Sequence, residues 1–172
     1  MTDITLRPWT MEDLAKLVNY ANNPNIAGNL TDAFPFPYTR ADGAAFIETV
    51  SRDNPLKVFA IETGARPVGS IGVFPQSGIH RMNAEMGYWL AEPYWGKGIM
   101  VKAVKEILKY AFRTFDIRRV FARPFGSNRA SQRVLEKSGF IFEARFEKTL
   151  IKSGEYLDEY VYGFRKDQLH SR

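Results

Sequence analysis

The seven residues Tyr94-Trp95-Gly96-Lys97-Gly98-Ile99-Met100 constrain this chain more than any others, because they join a strand pattern directly to a helix pattern. Before them, Asn83-Ala84-Glu85-Met86-Gly87-Tyr88-Trp89-Leu90 reads as a strand of aromatic and apolar residues, stopped at Glu92-Pro93, where proline withholds a ladder donor. After them, Met100, Val104, Ile107, Leu108, Ala111 and Phe115 fall on one helical stripe, with Lys102, Lys105, Glu106 and Lys109 off it. The first turn of such a helix holds unpaired backbone N–H groups at the positive end of its dipole. Gly96 and Gly98 let an anion come close to the main chain there. The junction can hold a phosphate, or its glycines can serve only a tight turn; spacing alone leaves both open. Two nucleotide motifs do not fit. A P-loop needs serine or threonine after its lysine, and Lys97 is followed by Gly98; the dinucleotide fingerprint needs a small residue where this chain has Val101.

A second constellation lies downstream. Val120-Phe121-Ala122-Arg123 reads as a strand, Ser127-Asn128-Arg129-Ala130-Ser131 opens a short helix, and Val134-Leu135-Glu136-Lys137-Ser138-Gly139-Phe140 closes it with a glycine stop. Together with the glycine junction, these residues resemble the acetyl-coenzyme-A-binding half of the GNAT superfamily of N-acetyltransferases. Glu85 to Leu90 leading into Tyr94-Trp95-Gly96-Lys97-Gly98, with Leu6-Arg7-Pro8-Trp9 at the start, is similar to the branch that acetylates ribosomal-protein N-termini. The resemblance covers nearly the whole chain. It departs from the general pattern at Trp95, where glutamine or arginine often begins the loop, and at Met100, where a small residue often ends it. Tryptophan is usual in this branch, and Met100 heads the apolar stripe, which points it at the core.

The resemblance implies a mixed α+β fold: a mostly antiparallel twisted sheet of about seven strands, the fourth and fifth splayed, flanked by about four helices. It implies acetyl-CoA as co-substrate, with the pyrophosphate at Trp95, Gly96, Lys97, Gly98, Ile99, Met100 and Val101, and further contacts from Asn128 and Ser131. It also implies backbone amides near Leu90 and Ala91, freed where the strand parts from that at Val120, as the site for the oxyanion and the pantetheine. Ser131, from the Asn-x-x-Ser unit, is the candidate acid for the leaving thiolate. Asn128 equally sits where a helix N-cap belongs.

Glu85 is the candidate base. It lies in the strand leading to the loop, shares a face with Gly87 and Trp89, and occupies the place of an acidic residue in the branch. An ordinary charge on the solvent side of a strand is the other reading. Lys97, Lys102, Arg129 and Arg133 are the candidate phosphate partners, since Lys97 to Lys137 holds eleven Lys/Arg against Glu106, Asp116 and Glu136. A solvated basic face or a nucleic-acid surface would use the same charges.

A length of 172 residues with 45% hydrophobic and 14% aromatic content is expected to form one domain over residues 1–172. No cysteine is present, which excludes disulfides, thiolate metal sites and a cysteine nucleophile. His80 and His170 lack ligand spacing, so no metal is expected. The start Met1-Thr2-Asp3-Ile4 lacks signal-peptide regions and no apolar run approaches ~20 residues, so a soluble, cytoplasmic protein is expected.

Strands are expected at Ile4–Trp9, Lys57–Glu62, Val68–Phe74, Asn83–Leu90, Arg119–Arg123, Ile141–Thr149 and Glu155–Phe164. Helices are expected at Met11–Asn22, Ala41–Arg52, Met100–Phe115 and Arg129–Ser138. Thr10 with Asp13 forms a shortened capping box. Residues 24–38, with Phe34, Phe36 and Tyr38 among three prolines, form the longest irregular segment. The reading is an N-acetyltransferase acting on a primary amine, with a protein N-terminus favoured and a small amine as the alternative. A non-catalytic coenzyme-A binder or an RNA-associated module is the competing class. No membrane partner is expected, and monomer and homodimer stay open, since the final strands can pair by their edges.

Overall fold

The computed structural model describes residues 3–170. The chain runs β1 (Thr5–Arg7), α1 (Leu14–Ala21), α2 (Pro24–Ala27), α3 (Arg40–Val50), β2 (Val58–Thr63), β3 (Arg66–Pro75), β4 (Asn83–Leu90), α4 (Ile99–Thr114), β5 (Arg119–Ala122), α5 (Arg129–Ser138), β6 (Ile141–Lys152) and β7 (Glu155–Arg165). The strands follow the hydrogen-bonded order β1-β2-β3-β4-β5-β7-β6. The β4–β5 pair is parallel; the pairs β1–β2, β2–β3, β5–β7 and β6–β7 are antiparallel. This is the mixed α+β class expected. Among the described residues no helix is long and apolar enough to cross a membrane.

The contacts group into two compact units, and β3, β4 and α4 each contribute residues to both. The first comprises residues 1–72 and 88–103. Its core joins Trp9, Leu14, Leu17 and Ala21 to Tyr38, Ile47, Val58 and Trp89. The indole Nε1 of Trp9 donates to Ser70 Oγ at 3.2 Å, and that hydroxyl donates to the Phe59 carbonyl at 3.3 Å, so a buried polar pair is satisfied internally.

The expected helix from Met11 to Asn22 begins as a 3-10 turn, Met11–Asp13, before α1. Asp13 reaches back to the Thr10 amide at 3.0 Å, as the capping box requires. Its carboxylate also takes a two-pronged contact from Arg7, at 2.7 and 2.8 Å, while Arg7 Nε donates to Glu62. Burial pushes the Asp13 carboxyl up, but the bonds from Arg7 and Thr10 outweigh it and hold the group below its ordinary 3.8.

The segment read as irregular contains a helix after all. Asn23 accepts from the Asn25 amide at 2.8 Å and Pro24 occupies the first turn, so a single helical turn forms before Gly28. Phe34 and Tyr38 anchor the stretch beyond Gly28: their rings lie 5.1 Å apart, Phe34 meets Trp89 at 6.1 Å, and Tyr38 is buried. Phe36 stays half exposed.

The second unit comprises residues 73–87 and 104–172. Within it, Val104, Ile107, Leu108 and Ala111 of α4 are buried as the stripe requires, and Phe112 and Phe140 meet Phe164 of β7 at 6.2 and 5.5 Å. The β6–β7 hairpin turns at Ser153 and Gly154, both with positive φ (51° and 82°), as a two-residue turn needs.

Two stability outcomes are expected from the packing of the first unit. A Cβ at Gly69 would stand 2.4 Å from the Trp89 carbonyl oxygen and 3.1 Å from Leu90 Cα, so Gly69→Ala is expected to cost about 3 kcal/mol in urea unfolding. Asp13→Asn is expected to cost about 1–3 kcal/mol at neutral pH. Because the native carboxyl titrates below 3.8, its contribution is full above that value and is lost as pH falls through it. The variant's acid unfolding curve should therefore be flatter in that window.

Candidate active site

The glycine junction lies wholly in the first unit. Strand β4 ends at Leu90, a 3-10 turn spans Glu92–Tyr94, and α4 starts at Ile99. Several contacts fix the turn. Glu92 accepts from Asn23 Nδ2 at 2.7 Å and Asn25 Nδ2 at 3.1 Å, and the Tyr94 hydroxyl lies 3.5 Å from that of Tyr20. The Trp95 indole donates to the Leu90 carbonyl at 2.7 Å and closes the loop on its own strand. Those asparagine bonds also hold the Glu92 carboxyl below its ordinary value.

Between these anchors Gly96 and Gly98 both take φ 73°, which a side chain resists, and neither has an atom within 4 Å of the position a Cβ would occupy. The glycines are thus required by backbone shape, and the space beside them is open. The Lys102 amide bonds the Gly98 carbonyl at 3.3 Å, so the amides of Ile99, Met100 and Val101 precede the helical ladder. Met100 is 5% exposed and Ile99 1%, so neither side chain fills that space. The residues therefore fit a diphosphate: open amides, a helix N-terminus and no obstructing Cβ.

Two of the expected roles change. The Ala91 amide is not freed at the strand end; it donates to the Val68 carbonyl at 2.8 Å, because β3 continues beside this residue. The Lys97 ammonium is folded back onto the Pro93 carbonyl at 2.8 Å and lies 5.4 Å from the centre of the Tyr94 ring.

The other predicted residues lie in the second unit. Strand β4 pairs with β5 only from Asn83↔Arg119 to Glu85↔Phe121. Beyond Ala122 the chain continues the β7 pairing that β5 already makes, through Tyr160 N to Pro124 O at 3.0 Å and Gly126 N to Asp158 O at 2.8 Å. Glu85 stands where the parallel ladder stops. Both its carboxylate oxygens are taken by Arg123, Nε to Oε1 at 2.9 Å and Nη2 to Oε2 at 3.1 Å, and Arg123 Nη1 lies 3.5 Å from Glu159 Oε1. The Glu85 bond raises the Arg123 guanidinium above its ordinary value, against a smaller opposing effect of burial.

Sequence reasoning counted Arg123 only within the basic excess and missed Glu159. The available signal was parity: Arg123 follows Phe121 by two residues, which puts both on one face of an extended chain.

Asn128 caps α5, accepting from the Ser131 amide at 3.1 Å, and Ser131 is half-buried in the first turn. Gln132, itself buried, donates to the Phe125 and Gly126 carbonyls at 3.2 and 3.0 Å and pins the preceding loop to α5. Ser138 is buried and donates within its helix to Val134 O at 2.7 Å. Tyr162 is buried and donates to Glu136 at 3.1 Å; burial and that bond push its phenol up to about 12, so it stays protonated. Arg119 binds Glu143 and Asn83, which, with Arg123, removes two of the basic residues from phosphate duty.

Residues 3–141 match the family model described as acetyltransferase (GNAT) domain. The chain is 27% identical to an uncharacterized, SPbeta prophage-derived N-acetyltransferase of Bacillus subtilis over 96% of this chain and 92% of that one. It is 30% identical to the ribosomal-protein-serine acetyltransferase of Escherichia coli over 54% of this chain and 52% of the other. Among solved structures, RimJ of Mycobacterium smegmatis in complex with CoA-disulfide superposes with a TM-score of 0.84 at 21% identity, over 96% of this chain and 83% of that one.

Since the open space at Gly98 would accept a Cβ, Gly98→Ala is expected to lose only the backbone penalty, about 1–2 kcal/mol in urea unfolding. A loss well above that range would mean that the loop is packed against something a methyl group displaces.

Proposed function

Because the chain belongs to the GNAT acetyltransferase family, we propose that it transfers an acetyl group from acetyl-CoA directly to a primary amine, with a protein N-terminal α-amine as acceptor. The observation that carries this reading is the glycine loop, where two residues at φ 73° leave the amides at the start of α4 open to a diphosphate. Residues Trp95 to Val101 supply the pyrophosphate site. Lys97 leaves its Pro93 contact to reach it, and Lys102, Arg129 and Arg133 add positive charge. Asn128 and Ser131, in the first turn of α5, contact the same co-substrate.

Chemistry needs three roles. Glu85, directly or through one water, takes a proton from the acceptor ammonium, and the neutral nitrogen attacks the thioester carbonyl. The oxyanion receives the Leu90 amide, now that Ala91 is committed to Val68. The C–S bond breaks, the Ser131 hydroxyl gives its proton to the departing thiolate, and Ser131 regains one as the amide nitrogen sheds its extra proton, so the products are the neutral amide and CoA thiol. With no cysteine in the chain to carry the acyl group, transfer in one step is the simplest course.

Two considerations support an α-amine. A reference pKa of ~8, against ~10.4 for lysine, makes deprotonation easier. The Escherichia coli relative carries a ribosomal-protein serine in its name, and an N-acetyltransferase meets a serine residue at its α-amine when that serine is N-terminal. A ribosomal acceptor would place the work in the cytoplasm.

The test is thiol release from acetyl-CoA with a panel of peptides bearing free N-termini, polyamines and aminoglycosides. Peptides should show the highest kcat/KM. Glu85→Gln should lower kcat by ~10²–10⁴-fold with the KM for acetyl-CoA little changed. Calorimetric binding of CoA without turnover of any amine would make the chain a coenzyme-A-binding module, and binding of a short RNA in its place would make it an RNA-associated one.

A further inference from the structure

A carboxylate that must meet an incoming amine needs a fixed plane as well as a charge. A glutamate on a strand has three rotatable bonds to lose. At Glu85 that freedom is removed by the parallel fork of Arg123, 2.9 and 3.1 Å on its two oxygens, with the third guanidinium nitrogen 3.5 Å from Glu159. The backbone on either side of Arg123 is fixed in turn. Residues 119–122 pair with β7, and Phe125 bridges Glu159. The pair is also half exposed, with side-chain exposures of 46% for Arg123 and 31% for Glu85, so it contributes little to stability.

We propose that Arg123, held by Glu159, is a positioning residue that fixes the plane of the Glu85 carboxylate; this rests on Glu85 being the base proposed above. Each carboxylate oxygen keeps a second lone pair on the side away from the guanidinium, so Glu85 accepts from the amine or its bridging water while the fork is in place. Glu159 shares the cation and so tempers its pull on Glu85. The charged surroundings are few: across the ladder Glu85 faces Phe121, its strand neighbours Asn83 and Gly87 carry no charge, and residues 73–75 of β3 include no titratable group. Arg119 is engaged by Glu143 and Asn83.

The experiment compares the parent with Arg123→Gln and Arg123→Lys. It reads kcat and the KM for each substrate separately, with the best peptide acceptor and acetyl-CoA. In Arg123→Gln kcat should fall ~10-fold, with the KM for acetyl-CoA within about twofold. Arg123→Lys keeps the charge but not the fork, so kcat should still fall several-fold at an unchanged KM for acetyl-CoA.

An unchanged kcat in Arg123→Gln, or a fall in kcat matched by a rise in the KM for acetyl-CoA, overturns the inference. If Arg123→Gln does not fold, Arg123→Lys decides: an unchanged kcat overturns it, and a lowered kcat with the KM for acetyl-CoA in place supports it. Full activity in Glu85→Gln removes the base reading and this inference with it. Unaltered Arg123 variants beside an inactive Glu85→Gln remove this inference alone.

Discussion

The parallel pairing of β4 with β5 ends at Glu85↔Phe121, while the chain after Ala122 goes on bonding to β7. That course is visible residue by residue. Pro124 has no amide to offer a ladder, and its carbonyl is taken by Tyr160. Gly126 then donates to Asp158, and Gln132 ties the same stretch to α5. A parallel pair that stops after three residues leaves a carboxylate at its last rung, where Arg123 reaches it. The proposed proton removal depends on that early stop.

Much of this was legible in the chain. Strand β4 and helix α5 have the bounds read from pattern alone, and α4 differs by one residue at each end, because an apolar stripe and a glycine stop are local signals. Met100 faces the core as its place on the stripe required. The expected strand from Ile141 to Thr149 runs on to Lys152, past a register shift between Phe146 and Leu150, where Lys148 takes φ 50°; a bulge of that kind has no alternation to betray it.

What escaped the sequence was pairing between distant residues. Arg123 and Glu85 are 38 positions apart, and Val68 and Ala91 meet only because β3 continues beside the end of β4. Neither propensity nor composition carries such information. Helix α2 was hidden for a different reason: three prolines dominated the reading, although Asn23 before Pro24 is a sound start signal for one turn. The net charge of +5 misled in proportion, since Arg119 and Arg123 answer carboxylates on their own sheet.

The indole of Trp95, bonded to the Leu90 carbonyl, has one more consequence. Of the three tryptophans, Trp9 and Trp89 are 3% and 9% exposed, whereas Trp95 is 44% exposed and stands at the entrance to the glycine turn. Any group that settles on those amides alters the polarity around one indole and leaves the other two in the dark interior. The loop therefore carries its own optical reporter, and its occupancy can be followed by intrinsic emission without a label.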